Sequence, residues 1–165
     1  MPQLEFNRLL DRWKHRILSY AGSRELVDHL VRCDMNFKDF KLTSTQMDTL
    51  NATPVELLAA PGAGLVNVIE GIVTRVVPGG TAFELGSGVL SFLDTDGSGA
   101  KLATDVPNAT VESATETYYR SVGLAVVPVV NSKVVAKTSA DVTAGNGTIY
   151  GRIYYRTLKV SELLL

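Results

Sequence analysis

Residues 94–105, DTDGSGAKLATD, come closest to the spacing of a chemical site. Asp94, Asp96, Ser98 and Asp105 fall at positions 1, 3, 5 and 12 of a calcium-binding loop, with Gly99 at position 6, where such a loop turns sharply. Oxygen ligands at these offsets converge on one hard cation, so calcium is the one cofactor for which the sequence offers a place. The segment departs from a helix-flanked calcium loop in three ways. Position 8 is Lys101 rather than an apolar residue, position 12 is Asp rather than the longer bidentate Glu, and both flanks read as strand or loop. An acidic, solvated turn closing a hairpin accounts for the same residues.

Other chemistries find less support. Pro61-Gly62-Ala63-Gly64 is a glycine-rich loop between apolar runs, but a phosphate-cradling Walker loop ends in GK[ST], and here Leu65, Val66 and Asn67 follow. A dinucleotide loop opens a helix, whereas LVNVIEGIVTRVV reads as strand. Both histidines, His15 and His29, precede residue 42, so the many Ser and Thr residues beyond it have no imidazole to activate them. His29 reads as a partly exposed helix residue. GSG at 86–88 is not a G-x-S-x-G elbow. Cys33 is the single cysteine, with no partner for a disulfide or a zinc site, and reads as a structural thiol. Glu56, Glu70, Glu84, Glu112 and Glu116 show no recognisable acid–base pairing. No catalytic residue is assigned, and no enzymatic activity is expected.

The elements that would carry these residues fall into two textures. In residues 1–41, Phe6, Leu9, Leu10, Trp13, Ile17 and Tyr20 follow the spacing of one helix face, opposite Arg8, Asp11, Arg12 and Lys14. A second helix is expected over 24–32, with Gly22 and Ser23 as the caps between the two. These residues form an N-terminal α-helical arm. Residues 42–53 read as a linker, in which Thr43 or Ser44 caps one helical turn through Met47 and Leu50. Pro54 then imposes an extended chain.

From residue 54 to 165 the reading is mainly β. Strands are expected at 55–60, 65–77, 82–85, 89–94, 118–130, 133–137 and 148–158, separated by glycine-rich and Pro-Asn turns. TIYGRIYYRTL alternates Ile149, Gly151, Ile153 and Tyr155 with Tyr150, Arg152, Tyr154 and Arg156. So many strands without intervening helices indicate an antiparallel β-sandwich or jelly roll.

Composition sets the remaining bounds. Residues 1–41 carry 8 Lys/Arg against 6 Asp/Glu, and residues 42–165 carry 8 against 11, so no nucleic-acid footprint stands out. The start is charged and lacks a signal-peptide core, and no apolar run reaches transmembrane length. A soluble protein made in a reducing cytosol, without a membrane partner, is expected.

Surface features then carry the information. Phe6, Leu9, Leu10, Trp13 and Ile17 form an expected apolar helix face suited either to the protein's own β domain or second helix, or to a partner's groove. VGLAVVPVV at 122–130 is apolar on both strand faces, so both sides of its sheet are covered or the outer one meets a neighbouring subunit.

Three segments, LTSTQMDTLNATPVELLAAPGAGLVNVIEG, GGTAFELGSGVLSF and NSKVVAKTSADVTAGNGTIYGRIYYRTL, together resemble a class of small virion proteins of tailed bacteriophages. The likeness covers about residues 42–158 and lies in turn and strand patterns. It implies a jelly-roll homotrimer that decorates or cements the outside of the phage head, with the major capsid protein as partner and the capsid surface as location. Under it, the PGAG loop is a tight hairpin between the first two strands. The arm lies outside the pattern. A host-receptor or glycan-binding virion module is the alternative, since jelly rolls also serve as lectins. That reading would favour exposed aromatics in loops, whereas Tyr118, Tyr119, Tyr150, Tyr154 and Tyr155 mostly fall in strands. A metal-dependent enzyme built on Asp94 is a third reading.

Overall fold

The chain divides into two units, Met1–Asp34 and Met35–Leu165. The computed structural model describes residues 35–126 and 128–162, within the second unit. The expected arm, with Phe6, Leu9, Leu10, Trp13 and Ile17, lies outside the described residues.

The second unit is mainly β, with two antiparallel four-stranded sheets and only short helical pieces. The strands are β1 (Asn36–Thr43), β2 (Val55–Leu58), β3 (Leu65–Val77), β4 (Val89–Asp94), β5 (Val106–Pro107), β6 (Thr117–Val122), β7 (Val134–Thr138) and β8 (Thr148–Lys159). The first sheet has the order β1-β8-β3-β6 and the second β2-β7-β4-β5. Hydrogen-bonded neighbours β1·β8, β2·β7, β3·β6 and β4·β5 match each strand with the one equally far from the other end of the series. The described chain is one long two-ply ribbon, and the pairings β3·β8 and β4·β7 join that ribbon to itself within each sheet.

Apolar residues of the two sheets meet in one core. Ile72, Ile149 and Ile153 of the first sheet and Leu90, Phe92 and Ala136 of the second are all fully buried within it. Phe40 of β1 sets its ring edge-on to Phe92, centroids 6.3 Å apart, which links the sheets. In β3 a bulge between Ile69 and Gly71 shifts the register, so Ile69 and Ile72, three residues apart, both face the core. The chain closes one end of the core with helix α1 (Ser44–Thr49), whose Met47 is fully buried, as is Leu50 at its C-cap. Thr43 caps it in a capping box. Its side chain accepts from the Gln46 N–H at 3.3 Å, while Gln46 Oε1 accepts from the Thr43 N–H at 2.9 Å.

Several expectations require correction. The boundary after residue 41 falls inside β1, an eight-residue edge strand paired with β8 from Asn36↔Tyr155 to Thr43↔Thr148. Residues 42–53 are the end of that strand plus α1 and its turn, not a free linker. PGAG is not a hairpin, because β2 and β3 lie in different sheets. Gly62 and Gly64, at φ 111° and 73°, turn the chain from one sheet to the other. The strand expected at 82–85 is reduced to a single bridge, Glu84↔Ala144. The strand expected over 118–130 stops at Val122, and Leu124, Val129 and Val130 beyond it are exposed. Neither β1 nor the short β5 with helix α2 (Asn108–Val111) was expected.

Candidate assembly face

The DTDGSG segment forms a tight turn after β4. Thr95 and Gly97 adopt φ of 62° and 89°, Gly97 N–H donates to the Asp94 carbonyl, and Asp94 N–H donates to the Ala100 carbonyl. The structure does not gather the four expected ligands. Asp96 accepts from the Ser98 hydroxyl at 2.7 Å, which holds its carboxyl below the usual range. Asp105 is drawn elsewhere, accepting from Ser91 Oγ at 2.7 Å and from Lys101 Nζ at 2.6 Å. Ser91 and Lys101, the latter the residue out of place in a calcium loop, together engage both oxygens of Asp105.

Asp94 is only 1% exposed. Its Oδ2 accepts from the Val129 N–H at 3.3 Å, and its Oδ1 packs on Gly99, where a Cβ would overlap it. The glycine at position 6 is therefore explained by close approach of a carboxylate. Among the described residues, no group of three or more His, Cys, Asp or Glu is placed to hold a metal ion.

A different region collects the exposed aromatic and cationic side chains. Pleating sends alternate residues of the first sheet outward, and the register aligns them in three rows across its four strands. One row is Phe37, Tyr154, Gly71 and Val122. The next is Asp39, Arg152, Val73 and Arg120. The third is Lys41, Tyr150, Arg75 and Tyr118. Phe37, Tyr150 and Tyr118 are 59%, 40% and 62% exposed.

These side chains hold one another in place. Arg75 makes a two-pronged ion pair with Glu116, Nε to Oε1 at 3.0 Å and Nη2 to Oε2 at 2.8 Å. Its guanidinium carbon lies 5.9 Å from the ring centres of both Tyr118 and Tyr150. The Tyr118 hydroxyl donates to Glu116 Oε1 at 2.6 Å. These bonds, the Arg75 pair first, bring the Glu116 carboxyl down to about 2, and the Glu116 acceptor raises the Tyr118 phenol above its ordinary value. Arg152 grips Asp39 through two bonds, at 2.6 and 2.9 Å, and stacks 4.4 Å above Phe37. That grip lowers the Asp39 carboxyl and raises the Arg152 guanidinium. Lys41 Nζ lies 5.7 Å from the centre of the Tyr150 ring. Between them Asp39, Val73, Arg75, Tyr118, Tyr150 and Arg152 line an open groove of about 310 Å³.

No family model matches the chain, and no curated protein matches it. Among solved structures it is similar to a chain of the cyanophage Pam1 capsid asymmetric unit, at a TM-score of 0.46 and 10% identity, over 74% of this chain and 82% of that one. At that TM-score the fold rests on the strand pairing itself.

Chemically, the face suits contact rather than turnover. Exposed ion pairs are screened by water and add little to the stability of a lone chain. Fixed rings and guanidiniums do favour association, because their rotamers are already ordered, and Tyr and Arg are the side chains that most often anchor interfaces. Sequence reading did not single out this constellation. Its one visible signal was the polar side of TIYGRIYYRTL, which carries Tyr and Arg where a merely solvated strand would carry Lys, Glu, Ser or Thr.

Proposed function

We propose that this chain is a non-enzymatic structural protein of a phage virion, a capsid decoration or cement protein that acts as a homotrimer on the head surface. The observation that carries the reading is the outer face of the first sheet, an exposed, pre-ordered array of aromatic and guanidinium groups suited to docking. The turn-and-strand resemblance over residues 42–158 supports the virion assignment. The ribbon winding, in which each strand pairs with its counterpart from the other end, supports a jelly roll. In this role the protein adds buried area across junctions of the major capsid protein. Because it binds only the assembled shell, it stabilises that shell by mass action. Heads carrying the protein are expected to rupture at a higher temperature than heads lacking it. Equal rupture temperatures would contradict the cement role.

A receptor- or glycan-binding module is a second reading, favoured by one observation. Tyr118 and Tyr150 are exposed beside the Asp39 and Arg152 pair in one groove, although they lie on a sheet face and not in loops. Binding of the isolated protein to host cells, lost in Tyr150→Ala and Tyr118→Ala and absent for shells without the protein, would favour it over the cement role.

A further inference from the structure

The charges of the described unit are segregated. The outer face of the first sheet carries Lys41, Arg75, Arg120, Arg152 and Arg156 against Asp39, Glu70 and Glu116, five cations to three carboxylates. All three carboxylates are taken up, by Arg75, Arg152 and Arg156, so Lys41 and Arg120 have no carboxylate partner among the described residues. They stand on the two edge strands, about 14 Å apart by strand spacing alone.

One end of the sandwich has the opposite character. The segments 44–53, 78–88, 108–115 and 139–147 all lie there, where β1, β3 and β7 end and β4, β6 and β8 begin. Their contacts tie them together. Asn51 donates to Asp141 at 2.9 Å, the Thr143 N–H donates to the Glu84 carbonyl at 2.9 Å, and the Leu85 N–H donates to Glu112 at 2.6 Å. These four segments contain Asp48, Glu84, Glu112 and Asp141 and neither Lys nor Arg.

We propose that the outer face of the first sheet receives the acidic loop end of a second copy of this chain. Face against face sets cations together, and end against end sets carboxylates together, so both symmetric contacts are disfavoured. The complementary contact is head-to-tail, and repeated use of it closes a ring or extends a chain. One molecule cannot satisfy it alone, because its face and its end lie on different sides of one packed body. The aromatic rows supply contact area, while Lys41 and Arg120 set orientation. The inference deepens the self-assembly part of the proposed function and does not depend on the virion assignment.

The test uses the full chain and two charge-reversed double variants, Lys41→Glu with Arg120→Glu on the face and Asp48→Lys with Glu84→Lys at the end. None of these side chains makes an internal ion pair among the described residues, so the fold is expected to hold, and a thermal melt checks this. By sedimentation at low salt, the parent chain is expected to run as a multimer and each variant as a single chain. Their equimolar mixture is expected to recover the multimer, since a reversed face then meets a reversed end. Association of the parent should also weaken at least tenfold in molar salt, where the screening length falls to about 3 Å, which gives a readout independent of the variants. A parent multimer unchanged in both variants would overturn this contact while leaving self-assembly intact. A parent that stays a single chain at every concentration would overturn both, and a mixture that stays dissociated would overturn the head-to-tail pairing.

Discussion

Glu116 shows how the face is set at the level of single side chains. It accepts from Arg75 and from Tyr118 at once, and its carboxyl sits at about 2 in the folded chain, against about 4.3 for a free glutamate. A carboxyl depressed by folding stabilises the fold above its ordinary value, and that contribution is lost as pH falls through the folded value. The cluster is therefore expected to be constant from pH 5 to 8 and to come apart only between about 4 and 2. An NMR titration of the Glu116 side-chain carboxyl should find its midpoint near 2, moving up in Arg75→Gln; an ordinary midpoint in the parent would contradict the geometry. Gly99 gives a second test. Replacement by Ala drives a methyl group into the Asp94 carboxylate, so Gly99→Ala should cost about 1–3 kcal/mol of stability. Melting in the presence and absence of calcium should show the same loss, and a loss confined to calcium-containing buffer would restore the metal-loop reading. From the sequence alone, Gly99 matched both explanations. What separates them are the contacts of Asp105 with Ser91 and Lys101, which exist only once the chain has folded.

At the level of elements, legibility follows burial. The strands β3 and β4 were readable to the residue and β8 to within one, because their apolar periodicity is enforced by a core on one side. β1 was not readable. As an edge strand it carries Lys38, Asp39 and Lys41, and Phe37 lies on its outer face, so Phe37 and Phe40, three residues apart, mimic helical spacing. The short helix after it was legible because its signal is local. Thr43→Ala removes the capping box and should lower stability by about 1 kcal/mol, measured by denaturant unfolding; no change would mean that α1 is held by Met47 and Leu50 alone. The PGAG loop was misread for the opposite reason. Its glycines announce a turn, but which sheet the chain enters next depends on pairings with β7 and β8, more than seventy residues away.

At the scale of the whole molecule, the two sheets are joined by a core in which Phe92 is fully buried and touches Phe40 across the interface between them. Phe92→Ala should cost about 3–5 kcal/mol, and a smaller loss in thermal or denaturant unfolding would mean that the sheets are coupled elsewhere. The β class was legible because it is a sum over many local strand and turn signals. The proposed assembly face was not, because it is made by register. Lys41, Tyr150, Arg75 and Tyr118 come from four strands spanning most of the described chain and form a row only when β1, β8, β3 and β6 are aligned. Whether that row is a contact surface is the central question, and hydroxyl-radical footprinting of Tyr118 and Tyr150 addresses it most directly. In the assembled protein both rings are expected to oxidise several-fold more slowly than in the dissociated chain. Equal oxidation of the two tyrosines in both states would contradict the account.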